Sequence, residues 1–357
     1  MATQAPAKKP FRYGTVRRRI PIGTFQIVPG GAIPTITLPQ VGMLARVLVT
    51  IKGTYTKANA TGLNLLDGYD AILARARLQL NNGSSSLFDC SGIGINIINK
   101  NLSPSLPIKR GLVTTAGAQA FTYKFIIQVN ANQRRQFEMG LINLQAPEVR
   151  CTLDLSFNPL SSIFATVADV TLFAATASIS YEYFEIPNPA LFLLPPLTIV
   201  RTIEEAPIAV AAVGLQTYQV PRLGTMIDYH AVCVFNNLYG NVLNAVTEFA
   251  WRYNKSDTQM DQFIDDQELF EAELYGSAGG AGGTFLSQAA LSMNLWTAGD
   301  RPWDGGDFRD AIDTEKNTTT EALITIAAGQ ALNAGKDNIY HVRRVVQRVV
   351  QAPSPAQ

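Results

Sequence analysis

Residues 69–83 have the sequence YDAILARARLQLNNG, in which apolar and polar side chains alternate. On a pleated strand, one face would carry Ile72, Ala74, Ala76 and Leu78, and the other would carry Arg75, Arg77 and Gln79. The stretch ends in Asn-Asn-Gly, which favours a tight turn. This period of two predicts a half-buried β-strand followed by a turn.

The same alternation recurs along both halves of the chain. It is present in MLARVLVTIKGTYT (43–56), where Val47, Val49 and Ile51 share one face, and in FTYKFIIQVN (121–130) and EVRCTLDLSFNP (148–159). Residues 165–187 are long enough for two strands or for one long bent strand. Because turns rich in Gly, Pro, Asn and Ser separate these stretches, the sequence predicts an all-β protein.

Residues 187–197, PNPALFLLPPL, contain four prolines and no charge. Proline lacks the backbone donor that a sheet requires, so this segment is typical of a stiff, extended linker. A chain of 357 residues fits about two domains. Six to eight strand signals on each side of the linker therefore predict two β-sandwiches in tandem.

Two segments have helical periodicity. DTQMDQFIDDQELFEAELYG (257–276) places apolar residues on one stripe and predicts a helix, whose seven acidic residues would form a solvated face or contact a neighbouring subunit. Residues 338–350 fit a strand through their valines and a helix through their spacing, and the sequence leaves both open.

Composition narrows the class of protein. Charged residues make up 16% of the chain, which is low for a free monomer and favours a protein that buries surface against neighbours. No stretch reaches the length of a transmembrane helix, and a basic start without an apolar core does not predict a secretory signal. The three cysteines, Cys90, Cys151 and Cys233, are scattered and are expected to be buried free thiols.

Positive charge is concentrated near both ends of a chain whose net charge is +1. Residues 1–20 carry six basic side chains and no acidic one, and residues 336–357 carry a net charge of +3. The body between them is therefore mildly acidic. A basic end segment can bind nucleic acid, contact an anionic surface or act in targeting.

A search for catalytic and ligand-binding motifs yields little. The two histidines, His230 and His341, lie in strand-like stretches, and Asp228 could pair with His230, but no nucleophile motif accompanies them. The acidic residues of 304–315 do not have the spacing of a calcium loop, and the glycines of 91–96 and 276–283 do not match nucleotide-binding motifs. We expect no enzymatic activity, no cofactor and no metal site.

The overall pattern resembles the double jelly-roll major capsid proteins of tectivirus-like tailless icosahedral phages with an internal membrane. The resemblance rests on a short basic arm, a strand–turn–strand opening (25–56), a CSGIGINIINK segment (90–100), and a Tyr-rich strand ISYEYFEIP (179–187) before the proline linker. It extends over most of the chain.

The resemblance implies two antiparallel eight-stranded jelly rolls with one or few short helices. The expected division is a basic arm over 1–19, a first jelly roll over 20–187, a Pro-rich linker over 188–197, a second jelly roll over 198–351 and a tail over 352–357. Loops such as 276–283 and 299–319 would project outward.

The resemblance also implies a structural function. Three copies would form a pseudo-hexagonal capsomer, and capsomers would assemble in the host cytoplasm into the icosahedral shell of a bacteriophage virion. That shell would enclose a membrane and double-stranded DNA, and its other partners would be penton, vertex and minor capsid proteins.

In such a fold both chain ends would lie at the base of the capsomer. The basic side chains near both ends would then line the inner surface and face anionic lipid, without sequence-specific binding of nucleic acid. These predicted contacts are Lys8, Lys9, Arg12, Arg17, Arg18, Arg19, Arg343, Arg344 and Arg348.

Two other functions remain open at this stage. The first is a β-sandwich that binds nucleic acid through the basic N-terminal arm, although the arm offers only Phe11 and Tyr13 for stacking. The second is a secreted lectin-like sandwich, although Trp251, Trp296 and Trp303 are isolated.

Overall fold

The fold is known from a computed structural model of the chain. The described residues are 7–64, 69–102, 112–131, 137–195, 198–235, 238–239, 245–263, 290–294, 311–333 and 336–348.

The first half of the chain is built from nine described strands and two helices. The strands are β1 (Arg17–Ile27), β2 (Ile36–Thr37), β3 (Met43–Lys57), β4 (Leu73–Leu80), β5 (Ser85–Cys90), β6 (Gly117–Gln128), β7 (Ile142–Asn143), β8 (Cys151–Phe157) and β9 (Val170–Phe184). The helices are α1 (Gly92–Leu102) and α2 (Leu160–Ile163), and short 3-10 turns span Phe11–Tyr13, Asn81–Gly83 and Val167–Asp169.

The second half contributes eleven strands in its described part. They are β10 (Thr198–Glu204), β11 (Ile208–Ala209), β12 (Gly214–Gln219), β13 (Thr225–Phe235), β14 (Leu238–Tyr239), β15 (Val246–Tyr253), β16 (Asp257–Phe263), β17 (Ala290–Asn294), β18 (Ile312–Asp313), β19 (Thr320–Ile326) and β20 (Asn338–Arg348).

Each half contains eight principal strands with the same connectivity. In the first half, omitting the short β7, one sheet has the order β1-β9-β3-β6 and the other has the order β2-β8-β4-β5. In the second half, omitting the short β11, β14 and β18, the corresponding orders are β10-β20-β13-β17 and β12-β19-β15-β16. Numbered within each half, both place strand eight between strands one and three, and strand seven between strands two and four. This is the jelly-roll topology, so the predicted fold class is confirmed.

The alternation of apolar residues places the core between the two sheets of each roll. Val47, Val49 and Ile51 of β3 are at most 1% exposed, as the sequence pattern predicts. In β4 the alternation holds from Ala76 onward, but a bulge between strands β4 and β8 shifts the register near Ala74 and leaves that residue half-buried. Each buried valine or isoleucine contributes about 1.5–3 kcal/mol of transfer free energy.

The two rolls are joined by a continuous sheet. Strand β5 of the first roll pairs in parallel with β10 of the second, through Thr202 with Phe88 and Ile203 with Asp89. Helix α1 lies beside this junction and contacts β6 of the first roll as well as β13 and β20 of the second.

Helix α1 was missed by sequence reasoning because its isoleucines favour strands. Four of them, Ile93, Ile95, Ile97 and Ile98, are buried, and Asn99 makes hydrogen bonds of 3.0 Å to both backbone groups of Ile126 on strand β6. Tertiary packing therefore outweighs local propensity, and α1 covers part of the β6 edge.

Two other helix predictions have clear outcomes. The helix predicted over 257–276 is wrong for Asp257–Phe263, which forms β16 and pairs with β15, while 264–276 lies outside the described residues. Residues Asn338–Arg348 form strand β20 in the second roll, since the valines of this segment pack within a central strand rather than along a helix. Residues 165–187 contain one long strand, β9.

Candidate functional site

The basic segment at the N-terminus is attached to the first roll by an aromatic anchor. Phe11 is 1% exposed, and its ring lies 6.3 Å from the rings of both Phe137 and Phe184. The neighbouring cations Lys8, Lys9 and Arg12 are exposed. The anchor therefore holds these cations at a fixed place on the surface of the roll.

Backbone pairing to the proline-rich linker adds a second attachment. The Lys9 amide donates to the Leu191 carbonyl at 2.9 Å, and the Leu193 amide donates to the Lys9 carbonyl at 2.8 Å. Gly14 packs so closely on Phe192 that a Cβ atom at position 14 would lie 2.6 Å from the ring. The described part of the arm is therefore ordered against the linker.

Arg17, Arg18 and Arg19 begin strand β1, so the arm ends before them. All three are exposed; Arg18 forms an ion pair with Glu185, and Arg19 forms one with Glu182. Arg17 makes no ion pair with any residue that the structure describes. Because β1 pairs only with β9 among the described strands, these arginines lie on a sheet edge.

The basic residues near the C-terminal end, Arg343 and Arg344, do not form the second basic surface that the sequence predicts. Arg344 is 1% exposed; its Nη1 lies 2.7 Å from Asp228 Oδ2, and its Nη2 donates to the carbonyl of Ala131 at 2.7 Å. Arg343 is 2% exposed, and its Nη2 lies 2.9 Å from Glu205 Oε1. Their predicted role as lipid-facing contacts is therefore wrong.

The physical reason is the position of β20, which lies between β10 and β13 in the interior of a sheet. One face of β20 packs against the core of the second roll, and the strand also contacts helix α1. Arg348 pairs through its backbone with Thr198 on β10, and its side chain is outside the described part.

The buried ion pair of the second roll has a counterpart in the first. Asp228 and Arg344 face each other just after a bulge between the third and eighth strands. Arg46 and Glu182 face each other just after a bulge between the same two strands of the first roll, with Arg46 Nε 2.5 Å from Glu182 Oε2. The two ion pairs occupy the same position. In the first roll the arginine lies on the third strand and the carboxylate on the eighth, and in the second roll this order is reversed.

Burial acts differently on these two carboxyl groups. Burial raises the pKa of Asp228 to about 6, and the neighbouring Arg344 only partly opposes this rise. Burial also raises the pKa of Glu182, but hydrogen bonds and charges from Arg46 and Arg19 outweigh it and give a net lowering. Two guanidinium groups therefore hold Glu182 ionised, whereas Asp228 has only one.

The junction between the rolls depends on polar residues that sequence reasoning missed. Glu204 of β10 accepts hydrogen bonds of 2.8 Å from both the backbone N–H and the hydroxyl of Ser91, which precedes α1. Arg201 Nε donates to the Ser86 carbonyl at 2.7 Å. Burial raises the pKa of Glu204 despite these bonds. The one signal in the sequence is that Glu204, a charged residue, occupies a position that the alternation of β10 places on the buried face.

The histidines are buried in the second roll. His341 stacks on Tyr218 with 3.8 Å between ring centroids, and its Nδ1 lies 2.5 Å from the Tyr229 hydroxyl. Burial lowers the pKa of His341 to about 3, so the ring is neutral near pH 7. Asp228, considered above as a partner for His230, is instead bonded to Arg344.

The remaining candidate residues form no reactive cluster in the described ranges. Cys90, Cys151 and Cys233 are buried, as predicted, and burial raises the pKa of Cys151 and Cys233 to about 12. Among the described residues, no group of three or more potential ligands could hold a metal ion, and no helix is long and apolar enough to cross a membrane. Asp304, Asp307 and Asp310 and the 276–283 loop lie outside the described part.

The fold defined by these two rolls is that of double jelly-roll viral major capsid proteins. The structure of the major capsid protein of Sulfolobus turreted icosahedral virus (STIV) is similar, with a TM-score of 0.64, 13% identity, and coverage of 92% of this chain and 97% of that chain. In the atomic structure of the whole virus, a chain matches with a TM-score of 0.66, 14% identity, and coverage of 92% and 90%.

A chain of the PBCV-1 virus capsid is also similar, with a TM-score of 0.62, 9% identity, and coverage of 97% of this chain and 96% of that chain. No protein-family model matches the sequence, and no curated protein matches it. At these identities the comparisons establish a shared fold over nearly the whole chain.

Proposed function

We propose that this chain is a structural major capsid protein. Three copies associate into a pseudo-hexagonal capsomer, and capsomers assemble into an icosahedral virion shell. The observation that carries the proposal is the pair of jelly rolls with identical connectivity, joined through one sheet and matching solved capsid proteins over at least 90% of both chains. The low charge content, 16%, also fits a surface covered by neighbouring copies.

The proposal includes the boundaries of the domains along the chain. Since β1 begins at Arg17, the first roll spans 17–187 and the arm 1–16, three residues shorter than the sequence predicts. The Pro-rich linker spans 188–197, the second roll 198–351 and the tail 352–357. Support comes from β9, which ends at Phe184, and β10, which begins at Thr198. The role is structural and not enzymatic, in keeping with the buried histidines and cysteines.

The shell would belong to a tailless bacteriophage assembled in the host cytoplasm, and it would enclose an internal membrane and double-stranded DNA. Penton, vertex and minor capsid proteins would complete it. The exposed cations of the N-terminal segment would face the anionic membrane, each contributing about 1 kcal/mol near the surface. Support for this orientation comes from Lys8, Lys9 and Arg12, which are anchored yet exposed.

The mass of the purified protein tests the central part of the proposal. Multi-angle light scattering is expected to give three times the 38.8 kDa of one chain, or larger assemblies that electron microscopy shows as shells or capsomers. A stable monomer at every concentration would contradict a capsid role.

Vesicle binding tests the membrane-facing role. Replacing Lys8, Lys9 and Arg12 with Gln should weaken binding to phosphatidylserine-containing vesicles about a hundredfold, with no effect on phosphatidylcholine vesicles. The matched pair compares Lys8→Gln/Lys9→Gln with Lys52→Gln/Lys124→Gln, which removes two exposed cations elsewhere on the same roll and should leave vesicle binding unchanged. Unchanged vesicle binding combined with loss of salt-dependent DNA binding would instead support the nucleic-acid alternative.

A further inference from the structure

We infer that the β1 edge of one copy pairs in parallel with the β16 edge of a second copy, and that this pairing joins neighbouring subunits. The inference rests on the proposed trimer and specifies how its subunits bind each other. It follows from three observations: an internal junction of the same kind, two unpaired edges at equivalent positions, and opposite charge on those edges.

The internal junction provides the template. Strand β10, the first strand of the second roll, pairs on one side with β20 and on the other side in parallel with β5, the fifth strand of the first roll. A side chain reinforces this pairing, since Arg201 Nε donates to the Ser86 carbonyl at 2.7 Å. Within one chain, a fifth strand therefore binds a first strand.

The corresponding edges of the two rolls are left unpaired within the described residues. Strand β1 is the first strand of the first roll and pairs only with its eighth strand, β9. Strand β16 is the fifth strand of the second roll and pairs only with its fourth strand, β15. Pro21 and the bulge that follows it interrupt the β1 edge, so the regular part available to another strand is Arg17–Ile20.

The repeated connectivity fixes the register on the β1 side. Glu182 and Arg344 occupy equivalent places on the eighth strands, because each follows the same bulge. Glu182 pairs with Arg19 of β1, and Arg344 pairs with Thr202 of β10. Arg19 is therefore the counterpart of Thr202, and Arg18 is the counterpart of Arg201.

The same reasoning fixes the register on the β16 side. In each roll, the fourth strand makes a bulge where it pairs with the seventh strand. Leu78 of β4 and Trp251 of β15 lie the same number of residues after that bulge, so they are counterparts. Leu78 pairs with Phe88, and Trp251 pairs with Gln259. Gln259 is therefore the counterpart of Phe88.

Transferring the internal register to two copies places Arg19 of one copy opposite Gln259 of the next. Because the strands run in the same direction, Arg17 then lies opposite Asp257, and Arg18, the counterpart of Arg201, can donate to the backbone of Asp257 as Arg201 does to Ser86. Arg17, which forms no ion pair with any described residue, is thus opposite an aspartate in the sequence.

Charge complementarity supports the pairing at the end that Arg17 and Asp257 share. The charged residues of β1 are three arginines, and those of β16 are Asp257 and Asp261. Opposite charges on facing edges favour the correct partner and disfavour β1 with β1 or β16 with β16. The contact is head to tail, so it can close into a ring of three.

Charge exchange tests the inference on the full-length protein. Arg17→Asp and Asp257→Arg should each weaken subunit association at least about tenfold, measured by light scattering over a dilution series, because each places like charges face to face. The double variant R17D/D257R should restore trimers. The control, Lys52→Asp, makes the same charge change on the exposed face of the first roll and should leave association unchanged.

A cysteine pair provides a second measurement that does not depend on charge. Adjacent strands lie about 4.8 Å apart, within the range that a disulfide spans. The double variant with Arg17→Cys and Asp257→Cys should give covalent trimers on a non-reducing gel, whereas Lys52→Cys with Asp257→Cys should not.

The outcomes separate this inference from the proposed function. Trimers that persist in both single charge variants, or the absence of any cross-link in the Arg17–Asp257 pair, would overturn the strand pairing and leave the trimer intact. A wild-type protein that stays monomeric would overturn both. Rescue by the double variant together with covalent trimers would establish the pairing.

Discussion

The two basic segments of the chain, 8–19 and 343–348, place their cations in different environments. Arg17 and its neighbours lie on an edge strand and are exposed, whereas Arg343 and Arg344 lie on the central strand β20 and are at most 2% exposed. Both segments are basic in the sequence, with no acidic residue in either. The position of the strand in its sheet therefore decides the role of each cation. A cation on an edge strand is available to a partner, whereas a cation on a central strand forms ion pairs inside the fold.

The largest expected effect lies in the buried segment. Arg344→Ala leaves Asp228 as an unpaired buried carboxylate and should lower the free energy of unfolding by about 3–5 kcal/mol. Urea denaturation measures this loss. The double variant with Arg344→Met and Asp228→Leu should recover most of the stability. A loss under about 1 kcal/mol for Arg344→Ala would contradict the burial of this ion pair.

The aromatic anchor of the exposed segment comes next. Phe11→Ala removes a ring that is 1% exposed and should cost about 3 kcal/mol locally, which frees the arm from the linker. Limited trypsin digestion should then cleave at Arg12 much faster than in the wild type. The conservative variant Phe11→Leu serves as the control. Equal digestion rates for all three proteins would show that Phe11 does not hold the arm.

Acid should affect the buried segment more than the exposed one. The pKa of His341 is about 3 in the folded state and near 6.5 when unfolded, so the unfolded state binds more protons between these values. The contribution of the neutral, buried His341 to stability is then fully present above pH 6.5 and is lost as the pH falls. The loss is about 2 kcal/mol between pH 7 and pH 5. The change in the free energy of unfolding between pH 7 and pH 5 should differ by this amount between the wild type and His341→Gln, and an equal change in both proteins would contradict the burial of a neutral ring.

The smallest expected effect lies on the exposed edge. Arg17→Ala removes an exposed cation that makes no ion pair within the described ranges, and it should change the free energy of unfolding of the isolated chain by less than about 0.5 kcal/mol. Thermal unfolding in dilute solution measures it. A loss comparable to that of Arg344→Ala would remove the distinction between edge and interior.

The sequence predicts much of the fold because alternation is a local signal. The faces of β3 and most of β4 follow directly from it, and the proline-rich stretch falls between β9 and β10. The double jelly roll itself came from the resemblance to capsid proteins, since alternation does not specify which strands pair.

The failures have a common physical cause, which is that sheet position is a tertiary property. The isoleucines of α1 favour a strand, but packing between the rolls makes the segment helical. The apolar spacing of 257–263 fits a helix, but pairing with β15 makes it a strand. Arg344 was placed on the surface because its partner, Asp228, lies more than one hundred residues away along the chain.

A cryo-electron microscopy reconstruction of the purified oligomer tests the central claim most directly. We expect a ring of three chains and six jelly rolls, in which each β16 edge runs parallel to the β1 edge of the next chain, as β5 runs parallel to β10 within a chain. A reconstruction in which β1 remains open to solvent, or in which the chains meet through other surfaces, would contradict it.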